Sequence, residues 1–299
     1  MVTNTSVAIS AVSGVVNRLK KISILVVTGL LASCASLVSN VTQSFAEDLS
    51  AAILNNPDLA MVRDGAPAYL ILIDSLVSRS PDDAYLLSQS ATLHSAYAGA
   101  FVTDEERARV MAAKAKSLAL QAACVAIKEG CELESRPFRA FQAWVDELDD
   151  KDIDVVYTLA TSWAGWIQAN SDDFSAIADL GKVKALMTRV SELAPTMENG
   201  NVYLYLGVFE TLVPPALGGK PEVGRAHFER AVEISAGQNL LAKVMFAEQY
   251  GRLVFDQELH DALLQDVLDA PLEVEGLTLM NAVAKEQASA LLSTSADYF

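Results

Sequence analysis

Helical periodicity runs through almost the whole chain after Phe45, and it limits the fold more than any other feature. Apolar residues recur at the three- and four-residue spacing of amphipathic helices, and no run of alternating β-branched residues suggests a strand. We predict an all-α fold with helices, each placed to within about three residues, over 42–55, 66–79, 82–100, 104–129, 135–147, 153–170, 173–193, 200–213, 221–235, 240–251, 256–268 and 276–293.

Short breaker segments separate these helices. They contain Pro, Gly, Asn or Asp, as at Asn55–Pro57, Ser80–Asp83, Ala194–Pro195 and Gly218–Pro221. Short connections between helices of this length favour antiparallel neighbours. The sequence therefore predicts a stack of helical hairpins.

One helix carries a repeat-like pattern. Gly224, Phe228 and Ala231 place a small, an aromatic and a small residue at spacings of four and three, which resembles the second helix of a tetratricopeptide repeat. Small residues there allow two helices to approach closely, although Ala236 stands where that repeat has Pro. We expect a tetratricopeptide-like α-solenoid with a concave or enclosed surface, whose default role is binding.

The N-terminal part has the pattern of an export signal. A basic stretch, Arg18–Lys21, precedes an apolar run, Ile22–Ala32, that is too short to span a membrane. Leu31–Cys34 resembles the bacterial lipobox, so we predict a lipoprotein signal peptide over 1–33, acylation of Cys34 and one helical domain over 34–299. An ordinary cleaved signal with a free Cys34 thiol is the alternative. Ala35 favours the inner leaflet of the outer membrane.

The charge of the chain restricts its partners. Twenty-two basic residues stand against 38 acidic ones, a formal charge of −16. This balance repels phosphate backbones and anionic lipid headgroups. We therefore expect no nucleic-acid binding and membrane association through the lipid anchor only.

Two further cysteines lie seven residues apart. An oxidising periplasm would allow Cys124 and Cys131 to form a disulfide. On one continuous helix they would be about 10 Å apart, too far for a bridge, but Gly130 is expected to end that helix. A disulfide at the end of the helix and two buried free thiols are both compatible with the sequence.

The chain lacks recognisable catalytic motifs. His94, His227 and His260 stand outside any metal-binding pattern, and Gly218–Lys220 lacks the spacing and the hydroxyl residue of a phosphate loop. Acid pairs such as Asp82–Asp83 precede predicted helices, where carboxylates cap backbone amides. We predict no enzyme activity, no metal site and no cofactor; an exported hydrolase built on carboxylate pairs is a remote alternative.

An aromatic segment supplies the candidate ligand-binding residues. Trp163 and Trp166 are three residues apart and share a helix face beside Ala160 and Gly165. They form either an aromatic core stripe or one wall of a pocket for an apolar or amphipathic solute. Tyr203 and Tyr205, on the helix predicted over 200–213, complete the pocket candidates.

Taken in order, these features resemble the T component associated with TRAP transporters, a family of tetratricopeptide-like periplasmic lipoproteins. The resemblance covers essentially the whole chain after the signal peptide. Its most specific part is the Gly-Gly-x-Pro-Glu segment leading into His-Phe-Glu-Arg-Ala. The segments that carry it are the lipobox at Cys34, Trp163–Gly165, Asp172–Asp173, Ala176–Ala178, Val183–Pro195, Gly200–Gly207, Pro214–Pro215, Gly218–Glu222, Arg225–Ala231, Leu291–Leu292 and Asp297–Phe299.

The resemblance implies an all-helical homotrimer with a pore through each subunit. It also implies a complex with a periplasmic TRAP solute-binding protein and the binding of a small ligand, hydrophobic in one interpretation. Transport energy would come from the ion gradient used by the membrane permease. An outer-membrane helical scaffold that holds peptide or protein partners in an open groove is the competing hypothesis.

Overall fold

The structure is a computed structural model that describes residues 48–212 and 215–299. Contacts divide the chain into two units, Met1–Ile53 and Leu54–Phe299. Residues 48–53, the described part of the first unit, are helical. The predicted signal peptide and Cys34 lie outside the described residues. Everything below concerns the second unit.

The prediction of an all-α fold is confirmed, and the described residues contain no strand. Three short 3-10 helices occur at Asp150–Asp152, Met197–Gly200 and Pro215–Leu217. The α-helices are α1 Leu59–Arg79, α2 Ala84–Phe101, α3 Glu105–Ala126, α4 Phe138–Asp146, α5 Ile153–Ala169, α6 Phe174–Ala178, α7 Leu180–Leu193, α8 Asn201–Thr211, α9 Pro221–Ile234, α10 Leu240–Met245, α11 Gln257–Asp269, α12 Thr278–Ser293 and α13 Ser295–Tyr298.

Helices that follow one another pack as hairpins. The pairs α1–α2, α2–α3, α8–α9 and α11–α12 are in contact, and α5 packs on α2, α3 and α7. The largest core cluster joins α2 to α8, and a second one joins α10, α11 and α12. Helix α12 also contacts α1.

The close helix approach predicted around Gly224 and Phe228 is confirmed. A Cβ atom on Gly207 of α8 would lie 2.8 Å from the Phe228 ring, and one on Gly224 of α9 would lie 2.7 Å from the Thr211 Cγ2 atom. Phe228 is fully buried and stacks on Phe246 at 5.4 Å between ring centroids. These glycines therefore allow α8 and α9 to pack with their backbones close together.

The acid pairs cap helices, as predicted. The side chain of Asp83 accepts from the Leu86 amide at the start of α2, and that of Asp173 accepts from the Ser175 amide at the start of α6. Asp149 caps the 3-10 turn before α5. Carboxylates at these positions satisfy backbone donors that have no partner within the helix.

Helix α1 begins seven residues before the predicted start at 66, and it contains Pro67. A proline inside a helix removes one N–H donor and leaves the carbonyl four residues earlier unpaired. Here that carbonyl belongs to Arg63, and the Tyr97 hydroxyl of α2 donates to it at 3.0 Å. The interhelical bond replaces the missing backbone bond, so the helix continues through the proline.

Two other predicted helices change character along their length. The segment predicted over 173–193 is divided at Asp179 into α6 and α7. The segment predicted over 240–251 becomes a π-helix at Phe246–Gly251. At its end a Cβ on Gly251 would lie 3.2 Å from the His260 Cβ, so glycine allows the close approach to α11.

Candidate functional site

Trp163 lies in the core of the protein. Its side chain is 0% exposed, and its ring meets the Phe141 ring edge-on at 6.2 Å between centroids. The indole Nε1 donates to the Asp179 Oδ2 at 3.2 Å. This is the geometry of the core stripe, and it keeps the ring away from any molecule in solution.

Two buried lysines flank the tryptophans. The Nζ of Lys116 lies 3.4 Å from the ring centroid of the half-buried Trp166 and 5.0 Å from that of Trp163. The Nζ of Lys182 lies 5.6 Å from Trp163. Such cation–π contacts are stronger when the cation is desolvated. A lysine therefore occupies the place beside Trp166 where the pocket hypothesis would put a ligand.

The segment between α3 and α4 holds both lysines in place. The Glu134 carboxylate pairs with the Lys116 Nζ at 2.8 Å, and the backbone carbonyl oxygens of Leu133 and Glu134 accept from the Lys182 Nζ. These bonds compensate for removing two cations from water.

A cysteine pair stands at the start of this segment. The structure joins the Sγ atoms of Cys124 and Cys131 and places their Cα atoms 4.2 Å apart. Helix α3 ends at Ala126, between the two residues. The chain turn that follows therefore brings the cysteines within reach of each other, and the bridge stays a prediction for the oxidised protein.

Tyr203 and Tyr205 point to different sides of α8. Tyr203 stacks on His227 of α9 at 5.9 Å between ring centroids. Tyr205 lies beside Tyr157 of α5, with which it interacts electrostatically. Both tyrosines keep part of their surface accessible. Only Tyr205 belongs to the surface described next.

Three helices present accessible residues that carry no charge. Helix α2 has no Asp, Glu, Lys or Arg, α5 has only Asp154, and α8 has only Glu210, which is buried and paired with Lys184. Gly165 of α5 faces Ser95 of α2, since its Cβ would lie 3.5 Å from the serine Oγ. The surface, called the uncharged face below, comprises Gln89, Thr92, Ala96, Gly99, Tyr157, Thr161, Ala164, Gly165, Asn201 and Tyr205.

The phenol groups of the uncharged face are recessed. The surrounding protein removes the Tyr157 hydroxyl from water and raises its pKa well above the ordinary value, and the charges of Tyr205 and Glu198 add to this. A hydrogen bond from Asn201 opposes the shift. Burial also raises the pKa of Tyr205. Both rings remain partly accessible, so the two hydroxyls lie below the surface of the protein and do not project from it.

An unusual turn brings a carboxylate near the Tyr157 phenol. Glu198, Asn199 and Gly200 have φ angles of 49°, 53° and 84°, a left-handed run between α7 and α8. Desolvation, followed by the nearby charge of Asp154, raises the pKa of the Glu198 carboxyl. Within residues 48–212 and 215–299, neither carboxylate forms an ion pair.

Sequence reasoning missed Tyr157 and Glu198 as members of the site. Tyr157 belongs to the same helix as Trp163 and Trp166, but its face of α5 is recognisable only once the neighbouring helices are placed. No local signal marks Glu198, because glutamate seldom adopts a left-handed conformation. Across the described part of the chain, no three His, Cys, Asp or Glu side chains converge as metal ligands.

These features define an all-helical hairpin protein with a recessed, uncharged surface, which is the architecture of a binding protein. The chain belongs to the TRAP transporter T-component family, whose model matches residues 55–299. It is therefore an accessory component of a TRAP transport system. No curated protein matches the chain.

Family membership fits a periplasmic or membrane-associated location. No helix among the described residues is both long and apolar enough to cross a bilayer.

Proposed function

We propose that this protein is a periplasmic lipoprotein that binds a small apolar or amphipathic ligand on the uncharged face and presents it to, or receives it from, a TRAP solute-binding protein. Cys34 carries the lipid anchor at the inner leaflet of the outer membrane. Residues 1–33 are removed, 34–299 form one domain, and the mature chain assembles as a homotrimer.

The observation that carries the proposal is the pair of recessed phenols, Tyr157 and Tyr205, on a surface without accessible charge apart from its acidic edge. Apolar and small side chains around them offer contact area, and the two hydroxyls offer hydrogen bonds. Few directional polar groups on an otherwise uncharged lining are typical of small-molecule sites.

The remaining aromatic candidates support this surface from other positions. Trp163 anchors the buried side of α5, and the contact between Trp166 and Lys116 holds the same helix against α3. Tyr203 orients α8 by stacking on His227. The role is binding, and the energy of transport is supplied at the membrane permease.

The first experiment is native mass spectrometry of the protein purified from its own membrane. We expect an acylated Cys34, a threefold protomer mass and a retained small molecule. An unlipidated monomer that carries peptide or protein clients would instead support the scaffold hypothesis.

A matched pair of variants localises the ligand. Tyr205→Leu is expected to lose the retained molecule, whereas Tyr203→Leu, two residues away on another side of α8, is expected to keep it. Equal retention by both variants, with wild-type folding by circular dichroism, would refute the assignment of the ligand to the uncharged face.

A further inference from the structure

An exposed aromatic cluster is built from residues other than those of the uncharged face. The ring of Phe255 lies 5.2 Å from that of Phe299 and 6.4 Å from that of Tyr298, between centroids. Phe255 is 63% exposed and Tyr298 47%. Val254, next to Phe255, is also exposed. These four residues, called the aromatic patch below, present three exposed side chains and the half-buried Phe299 ring.

The backbone at Phe255 is strained. Its φ of 60° lies in the left-handed region, which is unfavourable for a bulky residue. The residue occupies the turn between the π-helix and α11, where glycine or asparagine would be accommodated more easily. Strain of this kind persists where the surrounding structure enforces it, and it clusters at functional sites.

Acidic residues surround the patch. Asp256 and Glu258 follow Phe255, Asp297 precedes Tyr298, and all three are exposed. Arg252 contacts the patch, with its guanidinium 4.5 Å from the Tyr298 ring centroid. The rim is therefore predominantly negative around an apolar centre.

The charge of the rim selects among the molecules that could cover the patch. A second copy docking patch against patch, as in a two-fold dimer, would bring two acidic rims together, and like charges facing each other across an interface are unfavourable. An anionic lipid surface would be repelled for the same reason. A partner protein with an apolar socket bordered by Lys or Arg is complementary to the patch in shape and in charge.

We propose that the aromatic patch is the docking surface for the TRAP solute-binding protein, through an apolar socket with a basic border on that partner. This inference rests on the proposed function, which supplies the identity of the partner. Exposed aromatic anchors surrounded by polar residues are the usual centres of binding energy in protein interfaces.

The test compares two Phe→Asn variants of the mature lipoprotein in detergent. Phe255→Asn removes a patch ring and places a residue that tolerates a left-handed backbone. Phe174→Asn removes the 92% exposed ring at the start of α6, outside the patch, and serves as the control. Binding of each to the purified TRAP solute-binding protein of the same organism is measured by isothermal titration calorimetry at two salt concentrations.

We expect Phe255→Asn to weaken binding at least about tenfold, while its thermal unfolding midpoint stays equal to or rises above that of the wild type. Phe174→Asn should bind as the wild type does. Raising the salt concentration should weaken wild-type binding, because the rim attracts a basic surface. The double variant Glu258→Lys/Asp297→Lys should also weaken binding. Because it leaves the aromatic rings intact, it tests the surface even where Phe255→Asn is unstable.

Several results would overturn the inference. Tight binding by Phe255→Asn and by the charge-reversed variant would refute the docking surface and leave the proposed function standing. A wild-type protein that fails to bind the solute-binding protein would refute both. A change in oligomer mass for Phe255→Asn with unchanged partner binding would assign the patch to contacts between copies.

Discussion

Replacing Gly224 with alanine is expected to destabilise the protein, although alanine is the better helix former. The new Cβ would lie 2.7 Å from the Thr211 Cγ2, 3.0 Å from the Gly207 carbonyl oxygen and 3.3 Å from the Glu210 Cβ. Thr211 cannot rotate freely, since its buried hydroxyl donates within α8 to Gly207 at 3.0 Å. Relief of the overlap therefore requires α8 and α9 to separate.

The size of the effect follows from two opposing contributions. Overpacking a tight contact costs about 1–3 kcal/mol, and the higher helix propensity of alanine returns about 1 kcal/mol. We expect a net loss of about 1 kcal/mol. Gly99→Ala in α2 is the matched control, because no atom lies within 4 Å of its new Cβ. It should stabilise the protein by about 0.5–1 kcal/mol.

The assay is urea unfolding of both variants at 25 °C, monitored by circular dichroism, with thermal unfolding as a second measurement. The two variants should differ by about 2 kcal/mol, or roughly 4–8 °C in the unfolding midpoint. If Gly224→Ala is as stable as Gly99→Ala, the close approach of α8 and α9 does not limit the packing, and the comparison with a tetratricopeptide helix pair fails.

Three further predictions concern the turn, the proline and the cysteines. The pKa of the Glu198 carboxyl is raised in the folded protein, so this group stabilises the fold below the ordinary carboxyl pKa and loses that contribution as the pH rises through the raised pKa. Glu198→Gln should therefore raise the thermal unfolding midpoint at pH 7 but not near pH 3. Tyr97→Phe should cost about 1–3 kcal/mol in urea unfolding, because it leaves the Arg63 carbonyl without a partner. Alkylation before and after reduction should label Cys124 and Cys131 only after reduction, and replacing both with alanine should cost about 2.5 kcal/mol for a loop of this size.

Most of the helices can be predicted from the sequence, because the residues that define a helix lie close together along the chain. Apolar spacing and acidic caps such as Asp83 and Asp173 act within one or two turns of a helix. The predicted start of α1 was wrong because Pro67 is typical of a helix break. The hydroxyl that compensates for this proline comes from Tyr97 on the next helix, which the local sequence does not show. The break at Asp179 likewise coincides with a bond to Trp163 on α5.

The candidate site was harder to predict because it depends on which side of each helix faces the core. The spacing of Trp163 and Trp166 shows that they share a face, but not that Lys116 and Lys182 flank them. Charged residues are seldom fully buried, so a sequence reading assigns both lysines to the surface. The partners that make their burial tolerable, Glu134 and two carbonyl oxygens, lie in an irregular segment without a recognisable pattern.

The distribution of charge explains why this protein offers two different surfaces to other molecules. A chain with a formal charge of −16 carries many hydrated carboxylates, and any partner that covers them must displace their hydration. The uncharged face avoids that cost and offers two recessed hydroxyl groups, which suits a small molecule. The aromatic patch also presents apolar area, but its rings project outward within an acidic rim, so the complementary object is a socket on another protein. A ligand surface and a protein-docking surface built from separate residues would allow the solute-binding protein to associate without occupying the ligand site.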